Sequence, residues 1–407
     1  MTILDFDVVI AGGGMVGSAL ACALGREGFR VGLVESREPQ RVWPQGEIDL
    51  RVSALSRASQ NIMTNLGAWP RMAALHIYPY RRMEVWDAGS SGRISFDCAR
   101  IGEPDLGHIV ENRVTQLALW QEMEGIESIE RFYPARAQDL DLKGHSLRLE
   151  DGRVLHAGLI VAADGRDSPI RGMAGIEAHG WSYDQHAVVA TVTPAGDHCR
   201  TAWQRFLPTG PLAFLPVDDG RCSIVWSSSP EETARLSELE EIEFLRQLTK
   251  TSEEVLGEIL AVGPRAVFPL RLQHALSYVL PGLALVGDAA HAIHPLAGQG
   301  VNLGLLDAAT LAQCLVEGRN AGRQAGDIRD LRRYERSRKG NNIAMLAAMD
   351  TFKRLFSNHN PLLGLARGLG LNLADRIPLL NHCFMRQALG LEGERPPLAI
   401  RLRGMDL

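Results

Sequence analysis

The strongest chemical capacity in this chain lies in Gly287-Asp288-Ala289-Ala290-His291 and in the run His294-Pro295-Leu296-Ala297-Gly298-Gln299-Gly300-Val301-Asn302. Residues 283–286 read as an apolar strand that stops at Gly287 and Asp288. A Gly-rich loop follows, and then a small-residue helix carrying Asn302, Gly304 and Asp307. A short acid at a strand end can accept a hydrogen bond from a sugar hydroxyl. The glycines let backbone amides approach a flat, electron-rich ring, and a helix N-terminus beside that ring favours negative charge on it. Reduced flavin is such a ring. Taken alone, the same residues also fit a strand–loop–helix with ordinary turn glycines.

A second constellation stands near the start of the chain. Residues 7–11 read as a buried strand, and Gly12, Gly14 and Gly17 follow in G-x-G-x-x-G spacing at the start of a helix over 18–25. A second strand, 30–34, ends in Glu35. Together these supply a tight turn, close backbone approach to a pyrophosphate, helix–strand packing and a carboxylate for ribose hydroxyls. Glu35 opposes a phosphorylated ribose, so the adenosine of FAD or NAD fits better than NADP. A third constellation follows the apolar strand 159–163: Asp164-Gly165, then Ser168 and Arg171.

With Asp164, Gly165, Ser168 and Arg171 in that spacing, the chain resembles the single-component FAD-dependent aromatic hydroxylases. In that family this middle motif lies by the FAD pyrophosphate and is implicated in binding the nicotinamide cofactor. The implied fold class is α/β: a Rossmann-like FAD-binding domain of aromatic hydroxylase type, an inserted antiparallel β-sheet substrate domain and a helical C-terminus. Residues 1–75, 105–180 and 275–340 are expected to form the discontinuous FAD-binding domain. Residues 76–104 and 181–274 are expected to form the substrate domain, and 341–407 the helical segment.

The elements that must position these groups read accordingly. Period-two alternation at 187–192, 201–206, 212–216, 222–227 and 267–270, with the hairpin signal Asp218-Asp219-Gly220, predicts an antiparallel sheet. Residues 83–96 add strand, and 230–250 read as one charged helix. From 341 to 391 the chain reads as helical, with Met345, Ala348, Met349, Phe352, Leu355 and Phe356 on one face. That face either packs on the enzyme body or meets a membrane or lipid tail, and packing is the expectation.

Composition bounds the function. The 407 residues suffice for more than one domain, and hydrophobic content of 45% with mean hydropathy -0.06 is that of a globular protein. A formal net charge of -5 gives no support for nucleic-acid binding. The six cysteines have no C-x-x-C pair, which fits reduced thiols and no metal site. No apolar run approaches a membrane span. The expected location is cytoplasmic, with peripheral contact at the inner face of the membrane in view.

Beyond the three motifs, residues 49–56, 107–113, 203–208, 210–216, 223–227 and 350–358 are similar to the ubiquinone-biosynthesis branch of the family. Residues 83–87 and 222–226 most resemble its 2-polyprenylphenol hydroxylases. The resemblance implies NAD(P)H as a transient reductant of FAD, and O2 and a prenylated phenol as substrates. It also implies delivery of oxygen through a flavin C4a-hydroperoxide. Gly12, Gly14, Gly17, Glu35, Asp164, Gly165, Gly287, Asp288, Gly300, Val301 and Asn302 are expected to bind FAD, with Pro295, Gly298, Gln299 and Gly300 lining the flavin. Arg51 and Arg113 are expected beside the phosphates or the flavin ring, and Gln116 at the ribityl chain. No catalytic base is assigned, His291 and His294 included, because the flavin carries the chemistry. Phe206, Phe214, Trp226 and Phe268 are expected to line an apolar substrate pocket. Contact with a biosynthetic complex and self-association are further expectations. A sister hydroxylase acting on a later intermediate and a FAD-dependent prenyl-lipid reductase are the alternatives. A flavin halogenase would need a W-x-W-x-I-P stretch, which the chain lacks.

Overall fold

A computed structural model describes the backbone of residues 3–292, 300–356 and 361–401, and their side chains except at residues 3, 181–183, 349, 352–354 and 361–366. The first strand, Ile3–Ala11, lies at the centre of the nucleotide-binding sheet. It pairs in parallel with Val31–Val34 on one side and Val154–Ala162 on the other. The sheet continues in parallel to Ile129–Phe132 beyond the former and to Leu283–Leu285 beyond the latter. Strands buried on both faces must be apolar throughout, and the all-buried Val31–Val34 and Leu283–Leu285 show this. Helix Met15–Arg26 packs on the sheet and against helix Gly300–Asn320.

Register explains why three distant motifs converge. Ala11 is level with both Val34 and Ala162, and Ala162 is level with Leu285. The residues just beyond those strand ends (Gly12, Glu35, Asp164 and Gly287) therefore emerge side by side at the carboxyl edge of the sheet. That edge is where open α/β sheets bind ligands.

The second sheet is mixed and largely antiparallel. It runs through Ala266–Ala275, Ala178–Pro194, Cys222–Ser228, Gly210–Pro216 and Thr201–Leu207 to the hairpin Arg82–Asp87 and Arg93–Asp97. Only the junction between Thr201–Leu207 and Arg82–Asp87 along this path is parallel. The expected single charged helix over 230–250 is instead two, Pro230–Glu238 and Glu241–Thr251. Extended backbone at Leu239 and Glu240 (ψ 144 and 148) breaks it, and Leu236, Phe244 and Leu248 still bury one apolar face against the sheet.

Three helices, Ile328–Phe356, Pro361–Arg376 and Pro378–Ala388, close the C-terminal side. They dock on the edge strand Arg93–Asp97, whose backbone would otherwise lie open to pairing with another chain. Asn372 and Asp375 accept from the N–H groups of Arg93 and Ser95 at 3.1 and 3.0 Å. Asn381 donates to the Ser95 carbonyl at 2.9 Å, and the buried pair Arg367–Asp87 closes at 2.8 Å. Of the apolar face expected over 345–356, Phe356 is buried and Ala348 and Leu355 are exposed. The side chains of Met349 and Phe352 lie outside the described residues.

Candidate FAD site and its surroundings

The glycine loop divides its labour by space. A Cβ on Gly12, whose φ is +108, would stand 2.3 Å from the Ala163 carbonyl oxygen, and one on Gly17 would stand 1.9 Å from that of Gly12. Those two glycines serve loop–strand and loop–helix packing. A Cβ on Gly14 meets nothing within 4 Å. Gly14 is also the N-cap of Met15–Arg26, and no side chain caps that helix. The open space at Gly14 and the uncapped first turn form a cradle that fits a pyrophosphate.

Behind the cradle, three donors converge on the carbonyl of Gly13: Ser18 Oγ, Gln116 Nε2 and Trp120 Nε1, each at 2.9 Å. A planar trans peptide points its N–H opposite to its C=O. Anchoring this carbonyl therefore turns the Gly14 N–H away from the three donors. Gln116, expected at the ribityl chain, supports the loop through this bond.

Glu35 is half-buried at the end of Val31–Val34. Its Oε2 accepts from Gly13 N–H at 2.7 Å, and its Oε1 accepts from Ser36 Oγ at 2.9 Å and Arg37 N–H at 3.0 Å. The carboxylate is thus fixed beside the loop, where an adenosine ribose would lie. Across the sheet edge, Asp164 Oδ2 accepts from Ile170 N–H at 3.1 Å, while its buried Oδ1 has no partner. Burial raises the Asp164 pKa, opposed by the Ser168 hydroxyl and the Ile170 amide. An orphaned oxygen next to the cradle is a further feature that suits a polar cofactor. Arg171, also buried, donates to the carbonyls of Ala289 and Arg166 at 2.8 Å each, tying the Asp-Gly and Gly-Asp motifs together.

Asp288 lies beyond Gly287, whose φ is +59. Its side chain is accessible but recessed. The surrounding protein withholds hydration and raises its pKa, while His291, Arg51 and Arg166 pull it back. Arg51 is exposed near this carboxylate. Arg113, the other expected cation, is buried and engaged: it bonds Glu111 at 2.7 Å and Glu47 at 2.9 Å and stacks on Trp43 at 4.4 Å. Its charge is matched within the protein. Gly300 and Val301 open the helix Gly300–Asn320, while Pro295, Gly298, Gln299 and His294 lie outside the described residues.

Asn302 holds a wall of the site. It donates to the Ala54 carbonyl at 2.8 Å and accepts from Ser56 N–H at 3.0 Å and Ser59 Oγ at 2.6 Å, binding Val52–Leu55 and the following helix to its own. One turn and a half later, the fully buried Asp307 accepts from His291 at 2.5 Å, Gly287 N–H at 3.2 Å, Arg338 at 2.8 Å and Asn342 at 3.2 Å. Burial alone would raise its pKa; His291 and Arg338 prevail and lower it to about 2. His291 is thereby a structural partner of Asp307. Sequence reading noted Asp307 but missed Arg338 and Asn342. Their i, i+4 spacing on one polar helical stripe was the available signal.

The four expected pocket aromatics do not come together. Phe214 and Trp226 point to the outer face of the second sheet, in a core closed by Leu236, Phe244 and Leu248. Phe206 and Phe268 belong to the opposite face, where Phe206 stacks on Phe356 at 4.2 Å and Phe268 packs near Leu50. One cavity among the described residues is lined by Ala54, Ser56, Tyr80 and Asn302 together with Phe384, Ala388 and Leu389 from the C-terminal end.

The family model for an FAD binding domain matches residues 5–347. The chain is 40% identical to the 3-demethoxyubiquinol 3-hydroxylase of Escherichia coli strain K12, over 96% of this chain and all of that one. It is 38% identical to the ubiquinone hydroxylase UbiL of Rhodospirillum rubrum, over 97% of this chain and 92% of that one. The chain belongs to the FAD-dependent hydroxylases of the ubiquinone-biosynthesis family. Its fold is that of p-nitrophenol 4-monooxygenase PnpA from Pseudomonas putida DLL-E4, with a TM-score of 0.79 at 19% identity, over 97% of this chain and 100% of that one. The protein is an FAD-dependent aromatic monooxygenase, with the NAD(P)H-type reductant typical of its family.

Proposed function

We propose that this hydroxylase oxidises the ring of a polyprenylphenol-type intermediate in ubiquinone biosynthesis, at the carbon next to the ring hydroxyl. Hydroxylation of a ubiquinone-pathway ring is supported by 38–40% identity, over nearly the whole chain, to a 3-demethoxyubiquinol 3-hydroxylase and a ubiquinone hydroxylase, and the prenylphenol substrate by the resemblance of residues 83–87 and 222–226 to 2-polyprenylphenol hydroxylases. FAD, when bound, supplies the two-electron exchange with NAD(P)H and the activation of O2. The chain's own residues bind and orient. The Gly14 cradle takes the pyrophosphate, Glu35 the ribose, and Asp288 with Arg51 the polar groups nearer the flavin. A phenol hydroxyl activates its ortho and para carbons toward electrophilic oxygen. The tail occupies one ortho carbon and leaves the other as target.

A second reading is favoured by the printed activity of the E. coli relative: a later, methoxyl-deficient quinol as substrate. Mass spectrometry of quinone intermediates from aerobic cells lacking this chain separates the two. Accumulated prenylphenol, or its carboxylated or aminated precursor, supports the first reading; a methylated demethoxy quinone assigns the later step.

The substrate is a membrane lipid, so the proposal includes peripheral contact with the membrane. No described helix is long and apolar enough to cross one. Leu369, Leu373, Leu379 and Phe384, 46–79% exposed on the C-terminal helices, are the apolar groups available for that contact.

A further inference from the structure

Two helix ends from distant parts of the chain complete each other. The helix Arg57–Asn65 has orphan N–H groups in its first turn, and the helix Pro378–Ala388 has orphan carbonyls in its last. The Ala58 N–H donates to the Leu389 carbonyl at 3.1 Å, while Ser56 Oγ accepts from the Ser59 N–H at 3.3 Å. The negative end of one helix therefore stands on the positive end of the other. Gly390, with φ +68, turns the chain away at this point, and a Cβ there would stand 2.8 Å from the Ala58 side chain.

The chain then returns along the same helix. Asn61 donates to the Ala399 carbonyl at 3.1 Å, and Asn65 donates to those of Leu398 at 2.8 Å and Ile400 at 3.0 Å. Ala399 is fully buried, and the turn Pro397–Ala399 packs on both Arg57–Asn65 and Gly300–Asn320. Residues 389–400 thus form a strap fastened along the length of Arg57–Asn65.

That helix also holds a wall of the FAD site. Ser59 Oγ in its first turn, and the Ser56 N–H just before it, are the two donors to the Asn302 amide oxygen, at 2.6 and 3.0 Å. Asn302 lies in the first turn of Gly300–Asn320, whereas Asp307 fastens that helix only further along. When the strap lifts, the Ala58 N–H loses its partner and the turn bearing both donors is free to fray. Asn302 then keeps only its bond to the Ala54 carbonyl.

We infer that docking of residues 389–400 and binding of FAD are linked: the docked strap sets the Asn302 wall, and FAD in turn holds the strap down. Such coupling is reciprocal, because whatever one event gains from the other it must return in equal measure. Asn61 and Asn65 are positioning residues that act through Asn302. The linkage is independent of which ring intermediate is the substrate. It also joins the helix Pro378–Ala388, with its exposed Leu379, Leu380 and Phe384, to the flavin side, since that helix runs directly into the strap.

The test uses the full chain, stripped of FAD and titrated with it. Replacing both anchors, Asn61→Ala with Asn65→Ala, removes all three side-chain bonds to the strap. It should weaken FAD binding by about fivefold or more, each such bond being worth roughly two- to tenfold in an equilibrium constant. A strap that serves folding alone would lower the denaturant midpoint and leave the Kd unchanged, and that result overturns the inference. The unaltered protein supplies a second readout. Adding FAD should slow amide exchange at residues 57–66 and 389–400 as well as in the glycine motifs. Should the double variant fail to fold, this measurement decides alone: protection confined to the glycine motifs would overturn the linkage.

Discussion

At the residue scale, Gly14 and Gly17 separate binding from folding. A Cβ on Gly17 collides with the Gly12 carbonyl oxygen, whereas one on Gly14 meets only open space. Gly14→Ala should therefore fold with near wild-type unfolding free energy and lose FAD affinity at least tenfold. Gly17→Ala should lose stability as well. Denaturant unfolding of the apoprotein with FAD titration checks both, and equal stability losses would refute the division. Glu35→Ala should weaken FAD by about 1–3 kcal/mol through a lost charge-assisted bond to ribose. An unchanged Kd would place the ribose elsewhere. These residues were legible because a glycine motif is local: spacing, strand and helix are contiguous. Gln116 was not, because its partner, the Gly13 carbonyl, lies 103 positions away in sequence. Phe214 and Trp226 were placed in the pocket because alternation shows which residues share a face, but not which face a helix will cover.

At the element scale, the helix Gly300–Asn320 is fastened at two points. Asn302 holds the strand Val52–Leu55, and Asp307 holds the helix Ile328–Phe356 through Arg338 and Asn342. Asp307→Ala leaves Arg338 buried without its counter-charge and His291 without its hydrogen-bond partner, which should cost about 3–5 kcal/mol. A loss below 1 kcal/mol in denaturant unfolding would show that the network is not what fixes these helices. The pH dependence has a definite sign. An acid whose pKa falls on folding adds stability that is complete above its unfolded value, near 3.8, and is lost as pH falls toward its folded value of about 2. Two histidines act earlier. Burial first, then Arg57, holds His108 down to about 3; burial first, then His291 and Lys339, holds His274 down to about 4. The unfolded chain takes up those protons below about 6.5, so stability should already decline from there. His108→Gln should flatten the slope of unfolding free energy between pH 6.5 and 3. An unaltered slope would assign the acid sensitivity to other groups.

At the scale of the whole molecule, the sheet register gathers the three glycine- and acid-bearing motifs, and the C-terminal helices cover the edge strand Arg93–Asp97. The order of the motifs and the inserted sheet were visible in periodicity and glycine spacing. The docking of the C-terminal helices on Arg93–Asp97 was not, since Asn372, Asp375, Asn381 and Arg367 find partners some 280 residues upstream. The proposed function requires this assembly to transfer an oxygen atom from O2 to a prenylated phenol. The most direct measurement supplies the FAD-loaded protein with NADH or NADPH, isotopically heavy O2 and a short-tailed prenylphenol, and weighs the product. A ring-hydroxylated product carrying one heavy oxygen atom from O2 is expected. A product that gains hydrogen without oxygen, or whose new oxygen comes from water, would contradict it.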